Sequence, residues 1–301
     1  MARRRKGRDV TGWLILDKPA GPSSAAMVNL AKRAFGAAKA GHAGTLDPAA
    51  TGMLAIAFGA ATKTVPHVTE ALKGYRFTIR FGAATDTDDA EGTIIDTAGT
   101  RPSDADIRAA LPAFTGEIMQ VPPAFSAVKV AGERAYARSR AGETLTLEAR
   151  PLYVESLDLV ARPDADTAIL EMVCGKGGYV RAIARDLGRQ LGCLGHVTAL
   201  RRLWAGPFSA GDGVAPEVLE ARAGTPGIDD LLLPLDAALA DLPVVRVDAT
   251  AAARIAAGNP VPCLASEAEH GEEARAIHAG RTLAVGRYRA GMFHPARVFV
   301  R

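Results

Sequence analysis

The stretch KGYRFTIRF, residues 73–81, has a strict alternation of side chains. Tyr75, Phe77, Ile79 and Phe81 are aromatic or aliphatic, and each residue between them is Arg or Thr. Because successive side chains of a strand point to opposite faces, this pattern predicts a β-strand with one buried face and one polar face.

Elements on the N-terminal side of this strand have clear boundaries. Residues 12–18 form an apolar run that predicts a buried strand ending before Pro19. Ser23 or Ser24 can cap a following helix, which Gly36 is placed to end.

Elements on the C-terminal side interleave strands and helices without a regular repeat. Ser103 and Asp106 have the spacing of a capping box. Residues 153–160 and 167–174 predict two strands, and the second leads through a glycine-rich turn into a helix at 179–191.

The chain divides into a large and a small part. Residues 1–11 are a basic tail, expected to be disordered, and residues 12–243 form the main domain. Residues of about 120–150 are rich in Pro, Gly and Arg and predict a projecting loop or hairpin insertion. Residues 244–301 are expected to be a small, mostly β domain that packs against the first. Within it, the sequence predicts a short helix capped by Asp248 and strands near 282–288 and 296–300.

The composition restricts the class of protein. The net charge is only +3 and the pI about 8.8, so a nucleic-acid surface would be a local patch. Without a signal peptide or an apolar segment of membrane-spanning length, a cytoplasmic protein is expected. Three cysteines and six histidines lack metal-site spacing, so neither a metal nor another cofactor is predicted.

The segment GHAGTLDP, residues 41–48, is the first candidate for chemistry. Its glycines allow close approach of the backbone to a ligand, and Pro48 disfavours helical angles at Asp47, whose carboxylate would lie on a fixed turn. An ordinary Asx-type turn is the alternative. The segment lacks the sequences of nucleotide-binding loops, and the acidic stretch at 86–92 is interpreted as a turn rather than a calcium loop.

The segment GKGGYVR, residues 175–181, is the second candidate. It brings an aromatic ring and a guanidinium to the start of a helix on which Arg181 and Arg185 share a face. One interpretation is a solvated basic face. The other is that Arg181 pairs with Asp47 and favours its charged, nucleophilic form.

Five strings of the sequence resemble the TruB-type tRNA pseudouridine synthases and occur in that family's order. They are GWLILDKPAGPSS (12–24), GHAGTLDPAATGML (41–54), KGYRFTIRFGAATDTDDAEG (73–92), PPAFSAVKVAGERAYARSRAG (122–142) and CGKGGYVRAIARDLG (174–188) followed by LRRL (200–203). The resemblance implies an α+β pseudouridine-synthase fold, with a mixed, mainly antiparallel central sheet flanked by helices and a small PUA-like RNA-binding domain at the C-terminus. It also implies isomerisation of uridine 55 in the tRNA T-loop to pseudouridine.

The resemblance assigns roles to individual residues. Asp47 is expected to be the nucleophile, Arg181 its partner, and Tyr75 the ring that stacks on the flipped uracil. His42 is expected to fill the gap that the base leaves, and Tyr179 and Leu200 to line the base pocket. Gly175 and Gly178 depart from the family, which more often has hydroxyl residues there.

Several alternatives stay open at this level. Asp47 could attack C1′ of the ribose or C6 of the uracil, and Asp47, Tyr75 or water could remove the C5 proton. Arg134, Arg138 and Arg140 are candidates for phosphate contacts. A guide-RNA-dependent enzyme of the same fold and a tRNA-binding folding helper are the rival functions, while tRNA is the expected partner of a monomer that needs no other protein and no membrane.

Overall fold

The computed structural model describes residues 7–126, 128–130, 133–134, 138, 143 and 146–299. The expected basic tail falls mostly outside them, including Arg3, Arg4, Arg5 and Lys6, and Arg140 of the insertion also lies outside.

Thirteen strands precede residue 210 in the described chain. They are β1 (Gly12–Lys18), β2 (Ala40–His42), β3 (Thr51–Phe58), β4 (Lys73–Phe81), β5 (Ala83–Thr85), β6 (Ile94–Thr97), β7 (Gly116–Gln120), β8 (Lys129–Val130), β9 (Glu133–Arg134), β10 (Arg150–Asp164), β11 (Thr167–Cys174), β12 (Gly195–Ala205) and β13 (Phe208–Ser209).

Nine of these strands form the central sheet. Its main path runs β1-β3-β12-β4-β11-β10-β7, with β2 paired to β3 and β13 paired to β12. Strands β3 and β12 are parallel, and the other pairs in the sheet are antiparallel. The expected mixed, mainly antiparallel sheet is therefore confirmed.

Strand β4 lies in the middle of this sheet and has the alternation that its sequence predicts. Tyr75, Phe77, Ile79 and Phe81 are buried in one apolar core, whereas Arg76 and its alternating neighbours point away. A buried helix from the glycine-rich turn contributes to the same core.

Two irregularities in β12 change its alignment with β4. Val197 pairs with Ile79 but Ala199 with Thr78, so one extra residue lies between them, and a second extra residue lies between Arg202 and Trp204. Such β-bulges redirect the side chains that follow them. As a result Arg202, not Arg201, lies directly opposite Tyr75.

Six α-helices occur in the described residues, and the sequence predicts several of their ends. Ser23 caps α1 and Asp248 caps α6, and Ser103 with Asp106 forms the predicted capping box of α3. The helices are α1 (Ser24–Ala34), α2 (Val65–Glu70), α3 (Asp104–Ala110), α4 (Val180–Gln190), α5 (Pro216–Ala221) and α6 (Ala249–Ala256).

The predicted insertion contains a small hairpin. Among the residues that the structure describes here, strands β8 and β9 pair with each other and with no other strand, between the end of β7 and the start of β10. Strand β10 is longer than predicted because it starts at Arg150, where it pairs with β7, and continues to Asp164 beside β11, where bulges interrupt the pairing.

The C-terminal residues form a second sheet with its own core. Its order is β15-β19-β18-β17-β14-β16, and α6 packs against it. The predicted strand at 296–300 begins earlier in the structure, at Met292. The strands are β14 (Val244–Arg246), β15 (Val261–Pro262), β16 (Ala265–Ser266), β17 (Glu273–His278), β18 (Arg281–Arg289) and β19 (Met292–Val298).

Polar contacts join this second sheet to the rest of the chain. Lys63 Nζ donates to the carbonyl of Val298 at 2.7 Å, and Arg297 Nη1 donates to the carbonyl of Lys63 at 3.2 Å. His67 lies 3.8 Å from the carboxylate of Glu273. These contacts link the second sheet to the segment that contains Lys63 and His67.

Candidate active site

The loop that carries Asp47 connects β2 to β3 and is held from several sides. Ser24, at the start of α1, accepts a hydrogen bond from the amide of Leu46 and donates one to its carbonyl, both at 2.8 Å. Gly44 has φ of +102°, a conformation that suits glycine. The backbone next to Asp47 therefore has a defined path.

Lys18 anchors the same loop from beneath. Its side chain is buried, and Nζ donates to the carbonyls of Pro19 and Pro48 at 2.9 Å and of Ala50 at 2.7 Å. Burial lowers the pKa of Lys18 to about 8, against the opposing effect of Asp47 and Glu91. The lysine thus ties the end of β1 to the part of the loop that follows Asp47.

Arg181 lies 2.8 Å from Asp47, measured from Nη2 to Oδ2. Its other nitrogen lies 3.3 Å from the carboxylate of Asp89, and the carbonyls of Thr87 and Phe125 accept hydrogen bonds at 2.9 and 3.0 Å. The side chain of Arg181 is 7% exposed, whereas that of Asp47 is 43% exposed. The guanidinium of Arg181 is therefore buried and fixed by its partners, whereas the carboxylate of Asp47 that it contacts is more accessible to solvent.

The alternative of a solvated basic face on α4 is wrong. Arg185, which shares that face, is also mostly buried and pairs with Asp88 at 3.0 Å and with Asp186 at 2.8 Å. The acidic turn after β5 supplies Asp88 and Asp89, so the two arginines meet acids there instead of water.

A cleft of about 310 Å³ opens beside the ion pair. Tyr75, Tyr179 and Leu200 line it together with Asp47 and Arg181, so five residues from three of the five family-like strings meet in one space. Its volume lies at the lower end of the range of ~300–1,000 Å³ that is usual for ligand pockets.

His42 lies near this cleft but does not line it. It ends β2, where it pairs in register with Ile56, two residues before the cleft-lining Gly44. Its expected role in the RNA stack stays a prediction.

The two tyrosines of the cleft are held in different ways. Tyr75 is 8% exposed, and burial raises its pKa although the charge of Arg202 and a hydrogen bond from it oppose the rise. Tyr179 is fixed through its backbone, because the side chain of Gln120 accepts from its amide at 3.0 Å and donates to its carbonyl at 3.1 Å. Burial also raises the pKa of Tyr179, and a hydrogen bond with Ser126 opposes this.

Of the three arginines expected to contact phosphates, the structure describes the side chain of Arg138. Arg138 pairs with Glu143 at 2.6 Å. The side chain of Arg134 and the whole of Arg140 lie outside the described residues.

Three further residues complete the site and were not singled out in the sequence. Asp89 belongs to a stretch interpreted only as a turn, Arg202 is one of two adjacent arginines in LRRL, and Lys18 ends an apolar strand. Each acts through a partner that is distant in sequence, such as Asp89 on Arg181. Local periodicity therefore could not reveal them.

Side chains that could bind a metal do not cluster in the part of the chain that the structure describes. Within the same residues, no helix has both the length and the apolar character needed to span a bilayer.

Comparison with proteins of known structure shows the fold. The chain superposes on the Cbf5 chain of a Cbf5-Nop10-Gar1 complex with a TM-score of 0.74 at 23% identity, covering 96% of this chain and 85% of that one. It superposes on a chain of an H/ACA RNP bound to a substrate RNA containing 2′-deoxyuridine with a TM-score of 0.75 at 20% identity, covering 100% of this chain and 92% of that one.

Comparison of sequences shows the family. Residues 32–180 match the model of the TruB family pseudouridylate synthase N-terminal domain, and residues 181–240 that of the tRNA pseudouridylate synthase B C-terminal domain. The tRNA pseudouridine synthase B of Dinoroseobacter shibae is 61% identical over 299 residues, 99% of this chain and 98% of that protein. That of Ruegeria pomeroyi is 59% identical over 301 residues, 100% of this chain and 99% of that protein. The chain belongs to the TruB family of pseudouridylate synthases, as its motifs indicate.

Proposed function

We propose that this enzyme converts uridine 55 in the T-loop of tRNA to pseudouridine, with Asp47 as the nucleophile. The observation that carries the proposal is the contact of 2.8 Å between Asp47 and the buried guanidinium of Arg181, at the edge of a cleft lined by two tyrosines. An anchored cation beside an accessible carboxylate is the arrangement expected of an activated carboxylate nucleophile.

The choice of tRNA as substrate is supported by the relatives. Proteins 54–61% identical to this chain are named tRNA pseudouridine synthase B, and the first of them match it over nearly their whole length. The substrate RNA named for one structural neighbour belongs to a complex only 20% identical in sequence, and that likeness supports the fold alone.

Binding requires that the uridine leave its stack, because the reacting atoms are covered in a folded RNA loop. Extrusion costs a few kcal/mol, and stacking on an aromatic ring returns about 1–3 kcal/mol per base. Tyr75 provides such a ring and Leu200 an apolar surface in the same cleft. His42 would enter the RNA stack in place of the base, which requires that it reach beyond its position at the end of β2.

The chemistry needs one covalent partner and no redox step. In one route Asp47 attacks C1′ of the ribose, the C1′–N1 bond breaks and the uracil is detached, and C5 then displaces Asp47 from C1′. In the other route Asp47 adds to C6 of the ring, the C1′–N1 bond breaks, C5 bonds to C1′, and Asp47 is released from C6. The side chain of Arg181 accompanies the carboxylate throughout, because it is itself held by two backbone carbonyls and by Asp89.

Removal of the C5 proton completes the reaction. Burial raises the pKa of Tyr75, so its phenol is protonated at neutral pH and accepts a proton only after giving up its own. This favours Asp47 or a water molecule as the base. The expected cytoplasmic location and monomeric state accompany this function as predictions.

The decisive experiment measures tritium release from tRNA labelled at uracil C5. Wild type is expected to release tritium, and Asp47→Asn to be slower by at least roughly 10³-fold, because an amide is a poor nucleophile. The mutant should still bind tRNA within about threefold of wild type, since phosphate contacts dominate affinity.

A matched control is Asp158→Asn, which makes the same chemical change at an exposed position of β10. It should leave the rate unchanged. Equal release by wild type and Asp47→Asn would remove Asp47 from the mechanism.

The guide-dependent alternative is tested in the same assay. Purified chain alone should modify unmodified tRNA, and replacement of the target uridine 55 by cytidine should abolish product. A requirement for a guide RNA or an added protein would favour the alternative, which the fold of the Cbf5 complexes motivates.

A further inference from the structure

Lys73, at the start of β4, is a buried cation that lines the cleft. It is 6% exposed, and the ion pairs of the described residues do not include it. Its Nζ donates to the carbonyls of Thr69 at 3.0 Å and of Ala71 at 2.6 Å. An ammonium group has three N–H donors, so one of them has no partner in the part of the chain that the structure describes. Burying an unused charged donor is costly, which indicates an acceptor supplied from the cleft.

Lys73 lies beside the ring on which the base is expected to stack. Lys73 and Tyr75 are alternate residues of β4, so their side chains leave the same face of the sheet about 6.5 Å apart. A base stacked on the ring of Tyr75 would present its hydrogen-bonding edges sideways, in its own plane. Lys73 is therefore placed to contact an edge of the base without competing for the stacking face.

Lys73 and the nucleophile lie at different ends of the cleft. A smaller cavity of about 40 Å³ adjoins the ion pair of Asp47 and Arg181, and Lys73 does not line it. At its own end, Lys73 is tied to α2 and the residue after it, and Lys176 of the cleft lining pairs there with Glu70 of α2 at 2.5 Å.

The contacts of Arg202 support this division. Arg202 also lines the cleft and is 1% exposed. Its Nε donates to the carbonyl of Met53 at 2.8 Å and its Nη2 to that of Gly44 at 3.2 Å, so Arg202 links β3 to the loop that carries the nucleophile. The anchors of Arg202 thus lie on the side of the nucleophile, and those of Lys73 lie on the side of α2.

The orientation of the base follows from the reaction. Both open routes require the edge with N1 and C6 to face Asp47, because the carboxylate reacts with C6 or with the C1′ that N1 carries. In a pyrimidine C4 lies opposite N1 across the ring, so O4 points toward the end with Lys73. We propose that Lys73 is a specificity-determining residue whose third N–H donates to O4 of the target uracil. This inference rests on the proposed function of the cleft.

The contact would select uracil over cytosine. Cytosine carries an amino group in place of O4, so two donors would face each other and the buried ammonium would stay without an acceptor. Sites built around a hydrogen bond to the substrate reject an analogue that cannot make it.

The same contact would strengthen during the reaction. If Asp47 attacks C1′, the electron pair of the C1′–N1 bond leaves with the uracil and is shared with O2 and O4. If Asp47 adds to C6, the electron pair of the C5–C6 double bond moves toward O4. A charged donor at O4 stabilises either anion more than neutral uridine. Burial lowers the pKa of Lys73, and an oxygen acceptor opposes this by favouring the ammonium form.

The test combines a change of residue with a change of one atom in the substrate. Single-turnover rates are measured for wild type and Lys73→Met on tRNA with uridine, 4-thiouridine or 2-thiouridine at the target position. Sulfur is a weak acceptor, and its intrinsic effect on the chemistry is the same in both proteins. The rate ratio of uridine to 4-thiouridine should be about tenfold larger in wild type than in Lys73→Met. The ratio of uridine to 2-thiouridine should differ less than about threefold.

The rates with uridine supply the controls. Lys73→Met should be about 10- to 100-fold slower than wild type, with tRNA affinity within about threefold. Lys32→Met makes the same change at an exposed position of α1 and should alter the rate less than about threefold. An equal ratio of uridine to 4-thiouridine in both proteins, or an unchanged rate in Lys73→Met, would overturn the proposal. Absence of product from wild type with uridine would instead contradict the proposed function.

A carbon-13 NMR measurement covers the case in which Lys73→Met does not fold. tRNA labelled at C4 or at C2 of the target uridine is bound to Asp47→Asn, which keeps Lys73 and is expected to leave the uridine unconverted. A hydrogen bond from a cation draws electrons from the carbonyl that accepts it. The C4 resonance should therefore move downfield on binding by more than the C2 resonance. A C4 resonance that moves no further than that of C2 would overturn the proposal.

Discussion

The central sheet and the C-terminal sheet bury different kinds of side chain. Around the central sheet, four cationic side chains of the described residues are buried: Lys18, Lys73, Arg181 and Arg202. In the C-terminal sheet, the described polar side chain that is buried is a threonine, Thr282. Its core is otherwise apolar, and its ion pair between Arg246 and Glu267 is exposed.

This difference indicates that the two sheets have different tasks, one in catalysis and one in binding. Burying a cation costs free energy unless backbone or acidic groups compensate it, so the buried cations mark the region where geometry must be fixed for chemistry. The C-terminal sheet carries no such group in its described part. We therefore expect it to contribute tRNA affinity and to leave the catalytic step unaffected.

The largest effect is expected from replacing one buried phenylalanine in each of the two cores by alanine. Phe77 and Phe293 are 1% and 0% exposed in the central and C-terminal sheets, and replacing either by alanine should destabilise its own region by about 3–5 kcal/mol. Phe77→Ala should also lower kcat, because Phe77 lies next to Tyr75 on the same face of β4. Phe293→Ala should raise KM for tRNA while kcat stays within a few-fold.

Urea unfolding followed by circular dichroism, together with steady-state kinetics, measures both quantities. If the two variants lowered kcat to the same extent, the division of tasks between the sheets would be wrong.

A smaller effect is expected from weakening the anchor behind the ion pair. Asp89→Asn removes the charge that lies 3.3 Å from Arg181, so the guanidinium is less firmly placed beside Asp47. We expect a fall in kcat of about 10- to 100-fold with little change in KM. Asp96→Asn, on exposed β6, is a suitable control. A loss confined to KM would show that Asp89 acts in binding.

The smallest effect concerns the contact between the two sheets. Burial lowers the pKa of His67, although Glu273 opposes this, so the unfolded chain takes up a proton at higher pH than the folded protein does. Stability from this histidine is therefore present above the ordinary pKa of 6.5 and is lost as the pH falls from there toward the folded pKa.

Thermal unfolding from pH 7.5 to 5.5 should show a decline in melting temperature that is weaker in His67→Gln. His294→Gln, at an exposed position, is the control. An unchanged pH profile in His67→Gln would exclude a contribution from this contact.

Local patterns were sufficient to predict much of the fold. Alternation in residues 73–81 predicts β4, and the capping residues Ser103 and Asp248 predict the starts of α3 and α6, because these signals arise between neighbours in sequence. Strand β10 exceeds its prediction at both ends because pairing with β7 and with β11, not local propensity, determines its length.

The candidate site was predictable only through motifs. Residue patterns left the pairing of Asp47 with Arg181 as one of two interpretations, and the resemblance to a family gave it preference. Asp89 and Arg202 were not predicted as site residues, because their roles depend on strand register and on contacts across more than ninety residues of sequence.

The two bulges of β12 show how a strand can change which of its side chains face a cleft while the order of strands in the sheet stays the same. One extra residue exchanges the facings of two adjacent arginines, so that one meets Asp17 and the other supports the loop of the nucleophile. The second extra residue returns the strand to its original phase before Ala205. An insertion or deletion of one residue between the bulges would exchange these two roles.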